Sequence, residues 1–196
     1  AATASWAAEA AAGAVEKPID PAVAAELADL AGKTALPEGT RIVFLGDSIT
    51  APGSLKYKYP EMIRDALAAA GLTAEVINAG RGGDNILSAG ARLEADVLAH
   101  KPTQVFVNLG VNDSKLSAPD HTRNSVPLDR FTEGYRAVIE KLQASGAAVT
   151  LVGTIACVDE WTRKRAMGGE KKATYFGNPE QLTRYNAVVQ ALAKEF

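Results

Sequence analysis

From Arg41 onward the chain alternates short apolar runs of β-type residues with amphipathic segments of helical spacing, and few folds accommodate that alternation. Strands are predicted at 41–46, 74–78, 103–109 and 147–153. Helices are predicted near 58–70 (Met62, Ile63, Leu67, Ala70), 86–99 (Ile86, Leu87, Leu93, Val97, Leu98), 128–144 (Leu128, Phe131, Tyr135, Val138, Ile139, Leu142) and 179–195 (Leu182, Tyr185, Val188, Val189, Leu192). Gly71 and Gly146 stand where two of these helices should stop. Strands alternating with helices are βαβ units, which build a parallel sheet covered on both faces, and the near-continuous apolar strands fit that burial.

With 196 residues, 47% of them hydrophobic, the chain has enough material for one α/β core and too little for two large ones. The expected organisation is a helical lead over 1–38 and one α/β domain over 39–196. In the lead, Asp20-Pro21 caps a short helix that Gly32 closes. The formal net charge is −2, and no basic cluster exceeds Arg163-Lys164-Arg165, so nucleic acid is not an expected partner. No apolar stretch reaches the roughly 18 residues of a membrane span. The single cysteine, Cys157, allows no intrachain disulfide. An alanine-rich start without Met reads as a mature N-terminus left by signal-peptide removal, so a secreted or periplasmic location is expected, with cytoplasm compatible. The polar, aperiodic stretch 156–178 is a long loop of the kind that carries function or moves.

Three polar segments each follow a strand: Gly46-Asp47-Ser48, Asn78-Ala79-Gly80-Arg81-Gly82-Gly83-Asp84-Asn85, and Gly110-Val111-Asn112-Asp113. In a parallel α/β sheet, ligands sit beyond the carboxyl ends of the strands, so all three converge on one edge. Taken singly, each has a structural reading: Asp47 or Ser48 as a cap, the glycines as positive-φ positions or a phosphate nest, and Asn112-Asp113 as an Asx turn. Taken together they supply a serine nucleophile, which needs a base, and donors for an oxyanion: the N–H of Ser48, the N–H of Gly83 and the amide of Asn112. Asp47, Asp84 and Asp113 read as acceptors that brace these loops. No His/Cys/carboxylate cluster has metal-ligand spacing, and no cofactor is implied.

The three blocks resemble those of the SGNH hydrolases, also called the GDSL esterase/lipase family, and the resemblance runs from about Arg41 to Phe196. It implies a three-layer α/β/α sandwich of flavodoxin-like type with a mostly parallel sheet of five strands. It implies Ser48 as nucleophile with Gly83, rather than Gly80, and Asn112 as oxyanion donors. It also implies hydrolysis of esters, whether of acetylated sugars and polysaccharides, lipids, thioesters or aryl alcohols, and the long polar loop favours an O-acetylated carbohydrate or similar small acyl ester as the substrate. Trp161, Tyr175 and Phe176 are candidates for a sugar-stacking rim or for anchors of the loop, and Tyr57 and Tyr59 are similarly open.

The family's Asp-x-x-His block, which carries the general base, is missing from this sequence. The two histidines are His100, predicted at the opposite edge of the sheet, and His121, on the correct edge but directly adjacent to Asp120. His121 is therefore a weak candidate base, and the base is otherwise unassigned. The expectation is a shortened chain in which the last strand and the base-bearing loop fall after Phe196. That would leave the 147–153 strand as an apolar edge prone to association and to reduced stability. Two other readings remain: a binding module with the same pocket and no turnover, and a flavodoxin-like nucleotide domain using the glycine loop for phosphate.

Overall fold

A computed structural model describes residues 36–52, 58–117, 120–154 and 174–196, with isolated positions among 21–29 and 159–164. The described positions of 21–29 are helical. The lead 1–18 and most of the 156–178 stretch, with Tyr57, Cys157 and Trp161, lie outside the described residues.

In chain order the elements are β1 (Arg41–Gly46), α1 (Tyr59–Ala69), β2 (Glu75–Gly80), α2 (Ile86–Ala91), α3 (Leu93–Asp96), a 3₁₀ turn (Leu98–His100), β3 (Gln104–Asn108), α4 (Val111–Ser114), α5 (Leu128–Ala144), β4 (Ala148–Leu151) and α6 (Pro179–Glu195). Among the described residues the sheet has four strands, all parallel, in the order β2-β1-β3-β4. The outer strand β4 pairs with β3. The fold is the α/β/α sandwich that the strand and helix alternation predicts, and among the described residues no helix is long and apolar enough to cross a membrane.

The strand period of two sorts the side chains by face. Val43 and Leu45 of β1 and Val105 and Val107 of β3 are fully buried on one face. They pack with Ile86 and Leu93, with Phe131, Tyr135, Val138, Ile139 and Leu142 of α5, and with Tyr185, Val189 and Leu192 of α6. On the other face Phe44 stacks on Phe106 at 5.0 Å between ring centroids and meets the edge of Tyr59 from α1 at 5.4 Å.

Two local differences from the predicted elements have clear causes. The single helix expected over 86–99 is three short pieces, because Arg92 and Val97 leave helical geometry. Strand β2 runs on to Gly80, two residues past the predicted end, because it stays in register with β1 up to Gly46↔Gly80.

Gly80 is a glycine for steric reasons. A Cβ there would lie 2.3 Å from the Ala51 backbone nitrogen, where the turn after Ser48 crosses the end of β2. At Gly82 a Cβ would meet open space. Gly80→Ala is therefore expected to destabilise by at least about 1–3 kcal/mol, as overpacking against backbone does. Gly82→Ala should stay within roughly 0.5 kcal/mol of the parent in chemical denaturation. Equal effects from the two substitutions would contradict this packing.

Candidate active site

β1 ends at Gly46, and the chain turns at once. The buried Asp47 carboxylate accepts from the Ile49 N–H at 2.9 Å, and its carbonyl accepts from Thr50 and Ala51 at 3.1 and 2.8 Å. This tight turn leaves Ser48 exposed at the carboxyl end of the strand. Lys58 Nζ donates to the Ser48 carbonyl at 2.9 Å and steadies the turn from the start of α1. Below it, the Tyr59 hydroxyl lies 2.8 Å from the hydroxyl of the fully buried Thr50.

The glycine segment leaves β2 in the same way. Asp84 N–H donates to the Arg81 carbonyl at 3.2 Å, and Gly83 sits at φ +84°, a conformation that favours glycine. Asn85 caps α2 by accepting from Leu87 and Ser88, and the Ser88 hydroxyl returns to the Asn85 N–H in a capping box. The Asp84 carboxylate accepts from Ser88 Oγ at 2.9 Å and from Arg92 Nε at 2.6 Å. Among the described residues no backbone carbonyl takes the N–H of Ser48 or of Gly83.

Asn112 lies on the short helix α4 rather than in an open loop, and it is buried. Its Nδ2 donates to the Asp84 carbonyl at 2.8 Å and reaches Asp47 Oδ2 at 3.4 Å. One amide thus bridges the residue before Ser48 and the residue after Gly83, so the structure brings the three predicted blocks together. The longer contact is the weaker one, and its proton is the one a developing oxyanion can claim.

The three acids are loop braces. Asp113 Oδ1 accepts from the Ile86 N–H at 2.9 Å, while Oδ2 is buried with no partner among the described residues. Burial first, and the Asp47 charge further down, push the Asp113 carboxyl up to about 6. Burial, then the charge of Asp84, also raises Asp47.

Sequence reasoning missed Arg92. It is buried, and its guanidinium holds Asp84, Asp96 (2.9 Å), the Ala79 carbonyl (2.8 Å) and the Gly46 carbonyl (3.3 Å). The available signal was an arginine four residues before an aspartate in an otherwise apolar helical pattern, with a second aspartate eight residues upstream.

His100 ends the 3₁₀ turn just before β3, at the amino edge, away from Ser48. His121 is on the carboxyl side, at φ 56°, with its ring edge-on to Tyr175 at 6.3 Å. Asp120 is exposed and accepts from the Thr122 N–H at 3.3 Å. Tyr175 is buried, bridges to Leu116 and bonds Asp159, so it anchors its segment. Phe176 is 40% exposed, with Lys115 Nζ 5.2 Å from its ring centroid.

Residues 44–196 match the model of the GDSL-like Lipase/Acylhydrolase family, and the chain belongs to that family of ester hydrolases. Among solved structures it is similar to an acetyl xylan esterase, AlAXEase, at 29% identity and a TM-score of 0.61, covering 79% of this chain and 73% of that one. It is also similar to the lipase/acylhydrolase from Enterococcus faecalis, at 27% identity and a TM-score of 0.60, covering 80% and 72%. A curated relative, the uncharacterized lipoprotein YqeF of Bacillus subtilis (strain 168), is 29% identical over 122 residues, 60% of this chain. The chain spans about half, 49%, of that relative's length.

Arg92→Leu would strand a buried Asp84 carboxylate, and a loss of about 3–5 kcal/mol in chemical denaturation is expected. Arg92→Lys should lose less, and a neutral Arg92→Leu would contradict the pair's role. For Asp113 the folded carboxyl titrates above its ordinary 3.8, so the folded state holds the extra proton. Stability should therefore fall as pH rises from about 4 through about 6, by on the order of 2–3 kcal/mol, and then level off. The difference between wild type and Asp113→Asn in denaturation across that window isolates the effect.

Proposed function

We propose that this protein is a serine ester hydrolase working through an acyl-enzyme, with O-acetylated carbohydrate or a similar small acyl ester as substrate. The observation that carries the proposal is the Asn112 amide, bonded at once to the carbonyl after Gly83 and to the carboxylate before Ser48. An exposed serine, two backbone N–H groups without a carbonyl acceptor among the described residues and a buried amide donor then stand at one edge of the sheet.

In this mechanism Ser48 Oγ attacks the ester carbonyl carbon and its proton passes to a general base, a role not assigned among the described residues. The former carbonyl oxygen becomes an oxyanion, held by the N–H groups of Ser48 and Gly83 and by Asn112 Nδ2. Collapse breaks the bond to the alcohol oxygen, and the alcohol leaves with a proton. Water then attacks the acyl-serine, releasing the carboxylic acid and restoring Ser48. The donors need no reorganisation, because Arg92 and the Asn112 amide already fix the glycine turn.

His121 is given a loop-bracing role in this reading, because its ring packs edge-on to Tyr175, which anchors its segment to Leu116.

The carbohydrate preference is supported by the similarity to an acetyl xylan esterase. The exposed ring of Phe176, next to Tyr175, which bridges to Leu116 just past α4, offers an apolar face. A location outside the cytoplasm is supported by the similarity to a lipoprotein.

With p-nitrophenyl acetate as substrate, Ser48→Ala should abolish turnover, and Asn112→Ala should lower kcat by roughly 10²–10³. His121→Gln should cost less than about tenfold, well short of the roughly 10⁴ seen when the orientation of a catalytic histidine is lost. Turnover that survives Ser48→Ala would sink the proposal, and a loss in His121→Gln as large as in Ser48→Ala would return the base role to His121.

A further inference from the structure

The buried carboxyl of Asp113 has no part in the chemistry above, yet it sits between the two oxyanion elements. Asn112 and Asp113 are consecutive on α4, and their side chains grip the same short stretch at its two ends. Asn112 Nδ2 holds the Asp84 carbonyl at 2.8 Å, and Asp113 Oδ1 holds the Ile86 N–H at 2.9 Å. Between these grips lies Asn85, and just before them lies Gly83. The Asp113 carbonyl in turn accepts from the Val126 N–H at 3.1 Å, which fixes α4 against the entry to α5.

We propose that Asp113 is a positioning residue for the oxyanion hole: through the Ile86 N–H it sets the Gly83 N–H relative to the Asn112 amide. This rests on the assignment of Gly83 and Asn112 as donors made above. Asn112 and Arg92 both hold the turn at Asp84, one on its carbonyl and the other on its carboxylate. The Asp113 grip holds it two residues on, where the turn enters α2, so the segment that follows Gly83 is fixed at two separate points. Pre-set geometry of this kind is what makes an oxyanion donor effective, since nothing has to be reorganised as charge develops.

The carboxyl is also poorly satisfied. Asp113 is fully buried, and Oδ2 has no partner among the described residues, so the ionised form is held at a cost. The ionisable groups that act on it or feel it are Asp47 from the Ser48 turn, Lys115 at the end of α4, Tyr135 of α5 and Tyr185 of α6. Asp47 disfavours its charge and Lys115 favours it. Protonation of Asp113 weakens its oxygens as acceptors, and the Ile86 grip loosens with it. The oxyanion donors should therefore register the charge of a residue that touches no substrate.

The test follows the full chain by NMR as pH is raised from 4 to 8. The probes are the Gly83 N–H, the Asn112 side-chain amide and the Asp113 carboxyl carbon. Both amides are expected to shift together with that carboxyl, with a shared midpoint near 6, and Asp113→Asn should remove this component. Amide shifts that track Asp47 alone, unchanged in Asp113→Asn, would overturn the proposal, and the wild-type titration decides this even if a variant fails to fold.

A second arm compares p-nitrophenyl acetate with its thiono analogue, whose sulfur is a poor fit for an oxyanion hole. In Asp113→Ala the ester-to-thionoester rate ratio should fall about tenfold or more, part of the roughly 10²–10³ that loss of a whole donor costs. Asp113→Asn, which keeps an acceptor for Ile86, should hold the ratio within about threefold of wild type. Equal losses on both substrates would mean fewer folded molecules and no positioning role. If wild type shows no Ser48-dependent turnover, the esterase reading fails, while the amide titration still decides the role of Asp113.

Discussion

The site hangs on one buried cation. Arg92 binds the carbonyls of Gly46 and Ala79, at the ends of β1 and β2, and the carboxylate of Asp84, in the turn that follows β2. Buried carbonyls at strand ends are costly when undersatisfied, and the Gly46 carbonyl accepts from the Arg81 N–H as well as from Arg92. Arginine answers several at once because its donors are fixed in a plane. With Arg92 in place, the Ser48 turn and the glycine turn become parts of one rigid edge. A buried pair of this sort is weak evidence for net stability, since replacing both partners together by apolar residues of similar volume often serves as well, whereas removing one alone strands the other. Its contribution here is better described as geometric.

On that edge the remaining polar contacts build outward. Asp84 carries Ser88 and the α2 cap on one side and offers its carbonyl to Asn112 on the other. Asn112 then touches Asp47, the residue beside the proposed nucleophile. Asp113 closes the loop back to Ile86. The resulting cluster holds three carboxylates close together, with burial the leading cause of the raised Asp47 and Asp113 values. Burying these carboxyls costs stability where they are ionised, a cost of the kind often found at functional sites.

Much of this was legible in the sequence, and the reasons are physical. α5 and α6 are one-sided helices whose apolar residues recur at three and four, so their limits were read as 128–144 and 179–195 and found there. The β1 run is apolar on both faces because both faces are covered, and the abrupt Gly-Asp-Ser marks its end. The break at Arg92 was invisible because Leu93, Val97 and Leu98 keep helical spacing across it, and nothing local says that the chain reorients. β2 was cut short at Asn78 because Ala79-Gly80 looks like a turn, whereas the glycine is needed for the approach of Ala51. Arg92 was overlooked because, beside the nearby Asp84 and Asp96, it binds backbone carbonyls on two strands that only the fold brings together. The convergence of Ser48, Gly83 and Asn112 followed from the rule that ligand sites lie at the carboxyl ends of parallel strands. The Asn112 contacts give that rule its atoms.

The measurement that tests the account most directly is mass spectrometry of the chain quenched in acid after mixing with p-nitrophenyl acetate. The account predicts one acetyl group on the peptide that carries Ser48, lost on longer incubation and absent from Ser48→Ala. An acetyl group on a different residue, or labelling that persists unchanged in Ser48→Ala, would contradict it.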